Sequence, residues 1–106
     1  MRIVKERTVY TICLIGKYRT AAESLEAWIT EIREADWARP ADLKAKFRNA
    51  SIINSKRVVF NIKGNEYRLV VDIEYRLKAV FIIWFGSHKE YEKLNIKTIT
   101  YGNQGY

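Results

Sequence analysis

Apolar side chains recur at helical spacing in the first half of the chain. Between residues 21 and 35 they follow the three- and four-residue steps of one helix face. Thr20 and Glu23, at the start of this stretch, have the spacing of a capping box, in which each side chain bonds the other's free backbone N–H. The pattern therefore predicts a helix over residues 21–35, with a face made of Ala22, Leu25, Ile29 and Ile32.

A second helix is predicted to begin at Pro40. Proline suits the first position of a helix because the N–H that it lacks would have no partner there. Leu43 and Phe47 follow at a spacing of four residues, so we expect them to be the buried pair of this helix.

The first fifteen residues give one clear element and one open choice. Arg2–Val4 is predicted to be a short edge strand. The β-branched residues of Thr8–Ile15 favour a strand. Yet Val9, Ile12 and Gly16 also fall on one helical face, and Gly16 suits the end of a helix. The residues alone leave both structures open.

The second half of the chain begins with a predicted hairpin. Arg57–Lys63 and Glu66–Ile73 are extended runs joined by Gly64–Asn65, a pair typical of tight turns between strands. This turn fixes the pairing and separates two faces. One face is apolar and is expected to look at the helices: Val58, Phe60, Ile62, Tyr67, Leu69 and Val71. The other face is half polar and net positive, with Arg57, Asn61, Lys63 and Arg68 among its members.

A third strand and a short helix complete the predicted elements. Leu77–Phe85 is apolar on both faces, as in a central strand that is covered on both sides. Gly86–Ser87 is predicted to end this strand, and His88–Leu94 to form a short helical turn. Ser87 suits the N-cap of that turn because Glu90 follows at capping-box spacing.

Length and composition limit the class of protein. The 106 residues contain neither a repeat nor a linker, so we expect one α+β domain over residues 1–106. Hydrophobic residues make up 48% of the chain, which argues against disorder. Cys13 is the single cysteine, which excludes an internal disulfide and a multi-cysteine zinc site. Residues 95–106 are expected to be a flexible tail, or to add an edge strand over Ile96–Tyr101.

Charge and hydropathy indicate the partner and the compartment. The net charge is +7, which suits a polyanion because phosphate contacts release counterions, although lysine and arginine also keep small proteins soluble. Lys5, Glu6 and Arg7 stand shortly after Met1–Arg2, where a signal peptide would have its apolar core, so no signal peptide is indicated. The longest apolar run, Ala79–Phe85, is too short to span a membrane. We therefore expect a cytoplasmic protein with no membrane partner.

Basic and proton-transferring side chains converge at one edge of the predicted sheet. Pairing of neighbouring strands brings the polar face of the hairpin close to Ser87–Tyr91. Cleavage of RNA by its own 2′-hydroxyl needs a base, positive charge on the phosphate and an acid for the leaving oxygen. Arginine, lysine, histidine and tyrosine can supply these functions without a metal or another cofactor. The sequence has no phosphate-binding glycine loop, zinc-binding helix motif or dense acidic cluster.

Each of these residues also has a structural interpretation. His88 could cap the helix or lie at the surface, and Arg68 could be an ordinary residue on the surface of the sheet. Tyr91 could pack against its neighbours. Arg57 and Asp72 suit a cross-strand ion pair of little energetic value. Trp28, Trp37 and Trp84 are expected in the core, and Lys44, Lys46 and Arg48 on a solvated helix face. The residues by themselves therefore indicate RNA binding and do not assign an enzyme.

Three segments resemble HigB-type toxins. Ala35–Phe47 is similar to the family's ADW..P.DLK..F segment, Arg57–Val70 to its RVVFNIKGN.YRL hairpin, and Gly86–Glu92 to its GTH.EYD ending. Order and spacing agree, and the match covers residues 1–94 approximately. The resemblance implies a RelE-like fold, with helices packed on one face of a small antiparallel sheet and a short helix after it. It also implies that Thr8–Ile15 is helical.

The resemblance further implies an activity, partners and site residues. The family cleaves messenger RNA on the translating ribosome, and a helix-turn-helix antitoxin of the HigA type neutralises it. Operator DNA would be contacted only through that antitoxin. The matching positions imply a catalytic set of Arg68, His88 and Tyr91, in which Arg68 stabilises the phosphate and the other two transfer protons or position the substrate. Lys63, Asn65 and Lys89 match as weaker candidates. Together with two residues of the polar hairpin face, Arg57 and Asn61, they are the expected RNA-binding residues; no metal ligand is expected.

The chain departs from the family pattern at a few positions, and two other functions stay open beside the one that the resemblance implies. Ser87 and Glu92 stand where the family has Thr and Asp, and both keep the chemical type. The tail beyond Leu94 has no counterpart. One alternative is a non-catalytic RNA- or ribosome-binding module on the same scaffold. The other is an interaction protein whose apolar first helix, containing Ile12 and Leu14, binds a partner.

Overall fold

The chain folds as an α+β protein, as predicted. The structure, a computed structural model, describes residues 1–14, 16–97 and 99, and for residues 10 and 12–14 it describes the backbone. The elements in chain order are β1 (Arg2–Val4), α1 (Glu6–Leu14), a 3₁₀ helix (Gly16–Ala21), α2 (Ala22–Glu34), α3 (Pro40–Lys46), β2 (Ser51–Ile52), β3 (Arg57–Ile62), β4 (Tyr67–Glu74), β5 (Ala79–Ser87) and α4 (His88–Glu92).

The strands form one sheet of five in the order β1-β5-β4-β3-β2. β1 pairs parallel to β5, and every other pair is antiparallel. The predicted hairpin register is confirmed from Arg57 opposite Asp72 to Ile62 opposite Tyr67. The turn is longer than predicted, since the last pair of the ladder is Ile62 with Tyr67. Its left-handed residues are Lys63 and Gly64.

Both faces of the sheet are covered. The helices pack on one face, where Phe60, Leu69 and Ile82 lie in a cluster with Leu25 and Ile32 of α2. The opposite face is closed by α4 and the segment after it through a second cluster of Val59, Val70, Ile83, Trp84 and Ile99. The predictions that β5 is covered on both sides and that the three tryptophans are buried are both confirmed.

The open choice at the N terminus is resolved as a helix. Thr8–Leu14 lies within α1, and residue 15 lies outside the described part. Val9 explains this outcome, since it is 1% exposed in the helix-side core. The strand position beside β5 is already taken by β1. The side chains of Ile12 and Leu14 lie outside the described part, so the structure does not test the interaction-helix alternative.

The predicted capping box of α2 is wrong. The 3₁₀ helix runs directly into α2, and Ala21 stands at the N-cap in a helical conformation with no side-chain cap. The Thr20 hydroxyl bonds the Tyr67 hydroxyl instead, at 2.6 Å. The helix at Pro40 is confirmed; Leu43 is fully buried and Phe47 is half-buried against the core.

β5 continues through the two residues that were predicted to end it. Gly86 pairs with Arg68 and Ser87 with Tyr67. Glycine is required at this position because a Cβ would overlap the indole of Trp84. Because α4 begins directly after this strand, it lies beside the hairpin turn.

The segment after α4 lies against the sheet. Ile96 is partly buried and Ile99 is 6% exposed. Neither belongs to a strand, so the predicted edge strand is absent at the described positions of Ile96–Tyr101; residues 98 and 100–106 lie outside the described part. Among the described residues, no helix combines the length and the apolar character needed to span a bilayer.

Candidate functional site: a basic cleft at the end of the hairpin

The pairing of β4 with β5 brings two of the predicted site residues, Arg68 and His88, to one edge of the sheet. The last ladder pairs place Arg68 opposite Gly86 and Tyr67 opposite Ser87. Beyond the ladder, the His88 N–H donates to the Glu66 carbonyl at 2.9 Å. The predicted meeting of the hairpin with the start of α4 is confirmed.

Arg68 is held by the turn that precedes it. Its Nη2 donates to Asn65 Oδ1 at 2.5 Å, and its Nη1 donates to the carbonyls of Asn65 and Tyr67 at 3.3 and 3.1 Å. The guanidinium carbon lies 6.0 Å from the centroid of the Tyr91 ring, at the limit of a cation–π contact. The side chain is therefore fixed in direction while it stays half-buried at the surface.

His88 contacts a cation through one ring nitrogen and an anion through the other. Nδ1 lies 3.2 Å from Arg68 Nη2, and Nε2 lies 2.8 Å from Glu92 Oε1. A guanidinium can only donate, so Nδ1 must be the acceptor. Nε2 then carries the proton and donates it to the Glu92 carboxylate. This arrangement fits the Nε2–H tautomer, whose acceptor nitrogen faces Arg68.

Glu90 ties the start of α4 to the 3₁₀ helix. The predicted capping box is confirmed: the Ser87 N–H donates to the Glu90 carboxylate at 2.8 Å, and the Glu90 N–H donates to the Ser87 hydroxyl at 3.1 Å. The Glu90 carboxylate also accepts from the Tyr18 hydroxyl at 2.8 Å and from Lys17 Nζ at 3.0 Å. Burial by itself raises the pKa of Glu90, but these hydrogen bonds outweigh it and lower the pKa from 4.5 to about 2.

An open cleft of about 440 Å³ lies beside His88. Three of the predicted residues line it, namely Asn65, His88 and Lys89. Its other lining residues are Lys17, Tyr18, Glu66, Tyr67, Ser87 and Glu90. Tyr91 lies instead on the outer face of the sheet, with its ring 6.4 Å from that of Trp84.

The structure does not bring the other predicted RNA-binding residues into this cleft. Asn61 is exposed and pairs with Arg68, but it lines a separate cleft of about 230 Å³ that it shares with Lys63. Lys63 also forms an ion pair with Glu66 at 3.6 Å. Arg57 is 7% exposed at the far end of the hairpin, where Asp72 and two backbone carbonyls bind its guanidinium. We therefore assign Arg57 to the stability of the fold and not to RNA.

Sequence reasoning missed three residues of the site. Glu92 carried a signal, because His88 and Glu92 are four residues apart and such pairs are neighbours on a helix. Lys17 and Tyr18 have no such signal in the sequence, since they contact Glu90 only through the tertiary fold. Within the described part of the chain, no three histidine, cysteine or acidic residues lie close enough together to hold a metal ion.

Glu90→Gln is expected to destabilise the protein at neutral pH. The folded-state pKa of Glu90 lies below its ordinary value, so ionised Glu90 contributes stability above about pH 4.5, and this contribution is lost as the pH falls toward 2. The difference in unfolding free energy between wild type and Glu90→Gln should therefore shrink over that interval. Urea unfolding at pH 7 and at several lower pH values measures it.

Glu31→Gln provides the control for this effect. Glu31 forms an exposed ion pair with Lys46 at 3.3 Å, and such pairs contribute roughly 0–1 kcal/mol. A Glu90→Gln effect at pH 7 no larger than that of Glu31→Gln would show that the hydrogen bonds around Glu90 do not stabilise the fold.

Comparison with known proteins places this fold and site in a defined class. A family model described as the RelE-like toxic component of a toxin-antitoxin system matches residues 21–94, more than half of the chain. The mRNA interferase HigB of Escherichia coli O6:H1 is 29% identical over 80 residues, which are 74% of this chain and 78% of that protein. The class is thus that of RelE-like toxins, and within it the chain belongs to the HigB toxin family. Membership implies an antitoxin partner.

Proposed function

We propose that the chain is an endoribonuclease that cleaves messenger RNA through attack of a 2′-hydroxyl on the adjacent phosphate, without a metal. The observation that carries this proposal is the contact of Arg68 with His88 beside an open cleft, with Glu92 on the other ring nitrogen. A phosphate-binding cation, a base and an orienting carboxylate lie together on a protein of net charge +7.

Substrate binding frees the base in this mechanism. The scissile phosphate offers Arg68 two charged acceptors, which are stronger partners than a neutral imidazole nitrogen. As Arg68 Nη2 donates to the phosphate in place of His88, Nδ1 becomes available and accepts the 2′-hydroxyl proton. The 2′ oxygen then bonds to phosphorus and the bond to the 5′ oxygen breaks. Glu92 stabilises the resulting imidazolium through Nε2. The products are a 2′,3′-cyclic phosphate and, once the leaving oxygen has gained a proton, a 5′-hydroxyl.

Tyr91 supports this site through its ring. The ring lies close to both the Trp84 indole and the Arg68 guanidinium, so it restricts where the guanidinium can point. We expect Tyr91→Phe to lose less than about tenfold in cleavage rate and Tyr91→Ala to lose more, because phenylalanine keeps the ring. A general acid contributes about 10²–10⁴-fold. A loss of that size in Tyr91→Phe, measured by single-turnover cleavage, would instead make the hydroxyl the acid.

The proposed substrate is messenger RNA on the translating ribosome. The support for messenger RNA is the similar HigB protein, which is named an mRNA interferase. The positive charge of the chain suits the polyanionic ribosome as well as the message. The same proposal locates the chain in the cytoplasm, pairs it with a helix-turn-helix antitoxin of the HigA type, and makes any contact with operator DNA indirect.

Product analysis with purified components tests the proposed function. The chain is incubated with a messenger RNA in the presence and absence of ribosomes, and the new 5′ ends are labelled with a kinase that accepts 5′-hydroxyls. We expect 5′-hydroxyl ends that depend on ribosomes and disappear with His88→Asn, which keeps an acceptor for Arg68 but cannot transfer the proton. Binding to ribosomes without new ends would support the non-catalytic module instead.

A further inference from the structure

We propose that Lys17 forms a second phosphate-binding site in the cleft, which holds an RNA phosphate other than the one that is cleaved. The inference rests on the proposed function for the identity of the ligand. Lys17 lies in the 3₁₀ helix, outside the residues that match the family model, and lines the same cleft as His88 and Lys89.

The ammonium of Lys17 is fixed before any ligand arrives. Nζ donates to Glu90 at 3.0 Å and lies 4.9 Å from the centroid of the Tyr18 ring. Free lysine side chains lose rotamer entropy when they bind, and a side chain that is already ordered loses less. The side chain is nevertheless 63% exposed. It is therefore both positioned and accessible.

Glu90 occupies only part of the hydrogen-bonding capacity of Lys17. An ammonium has three N–H donors, and in the described part of the chain Glu90 takes one of them. The carboxylate also accepts from the Ser87 N–H and the Tyr18 hydroxyl, so Lys17 is one of several donors that bind it. The remaining donors of Lys17 stay available for a phosphate. Lys89, which is exposed on the same cleft, adds a second positive charge.

The size of the cleft fits a strand that passes both sites. Its volume of about 440 Å³ lies within the usual range of small-molecule pockets, so it can admit a nucleoside. A strand whose scissile phosphate binds Arg68 next to His88 would continue into the cleft that Tyr18 and Tyr67 line, and a neighbouring phosphate would reach Lys17 in the same cleft.

Lys56 offers a closely matched control. It is 65% exposed and forms an ion pair with Glu74 at 3.9 Å, whereas Lys17 is 63% exposed and paired with Glu90. Lys56→Met and Lys17→Met remove the same charge and the same kind of pair. Lys56 precedes Arg57, at the end of the hairpin away from the cleft, so its loss should leave RNA binding unchanged.

The test measures binding of a 2′-O-methyl RNA decamer, which lacks the attacking hydroxyl and cannot be cleaved. The full-length wild type, Lys17→Met and Lys56→Met are titrated at several salt concentrations. For Lys17→Met we expect the slope of log affinity against log salt to fall by about 0.7, and affinity at 0.1 M salt to fall by about fivefold, as for one lost phosphate contact on a single strand. Lys56→Met should match wild type.

Decamers with one methylphosphonate each then locate the contact. Neutralising the phosphate that Lys17 binds should abolish the difference between Lys17→Met and wild type, while neutralising the others should preserve it. The proposal is overturned if Lys17→Met behaves like Lys56→Met, if every methylphosphonate position gives the same result, or if wild type does not bind the decamer. The proposed function fails separately, through the absence of new 5′-hydroxyl ends in the ribosome assay.

Discussion

Replacing Arg68 or His88 with alanine is expected to remove the toxicity of the chain in growing cells without unfolding it. Removing a general base costs about 10²–10⁴-fold in rate, and removing a preorganised positive charge costs about 10²–10³-fold. Both side chains are only partly buried and lie outside the two hydrophobic clusters, so neither substitution opens the core. Growth after induction measures toxicity, and thermal unfolding of the purified variants checks the fold.

Arg39→Ala is the matched control for Arg68→Ala. Arg39 precedes α3, with a side chain that is 77% exposed, and is 3.9 Å from Asp42. Its loss removes the same charge away from the cleft and should leave toxicity unchanged. If Arg68→Ala and His88→Ala both stayed fully toxic while folded, the site would be assigned to the wrong residues.

Arg57→Ala is expected to have the largest effect on stability, about 3 kcal/mol, as for the breaking of a buried ion pair. The side chain of Arg57 is 8% exposed, and its Nε and Nη2 donate to the two carboxylate oxygens of Asp72 at 2.7 and 2.8 Å. Its Nη1 donates to the carbonyls of Ile96 and Ile99 at 3.2 and 2.5 Å. Alanine would leave all of these acceptors without this partner and release the segment after α4 from the sheet. Urea unfolding at neutral pH measures the loss.

Two further variants separate the buried pair from ordinary surface charge. Lys56→Ala removes the neighbouring exposed pair with Glu74 and should cost less than about 1 kcal/mol. The double variant Arg57→Ala/Asp72→Ala should be less destabilised than Arg57→Ala, because no charge is left stranded. If Arg57→Ala were no more destabilised than Lys56→Ala, the ion pair of Arg57 with Asp72 would stabilise the fold no more than an exposed pair does. That is the small contribution predicted from the sequence.

The hairpin and the start of α4 could be predicted from the sequence because local rules fix them. The turn at Gly64 and the alternation of apolar residues determine which residues of β3 and β4 face each other. The spacing of Ser87 and Glu90 likewise determines the capping box. Since β5 pairs with β4, these two local features are sufficient to bring Arg68 and His88 together.

Contacts between distant segments could not be predicted in this way. Thr20 has the right spacing to cap α2, but its hydroxyl bonds Tyr67 in another part of the chain. Lys17 lines the cleft and donates to Glu90, which lies 73 positions later in the chain. Arg57 seemed to belong to an open basic face, and its burial depends on the segment around Ile99. In each case the partner is set by packing and not by spacing.

Mapping of RNA 5′ ends in cells, shortly after induction of the chain and without its antitoxin, tests the central claim most directly. We predict new 5′-hydroxyl ends inside translated reading frames for the wild type, and their loss for a folded His88→Ala control. An unchanged set of 5′ ends with soluble, folded wild-type protein would contradict the claim that this chain is a ribonuclease.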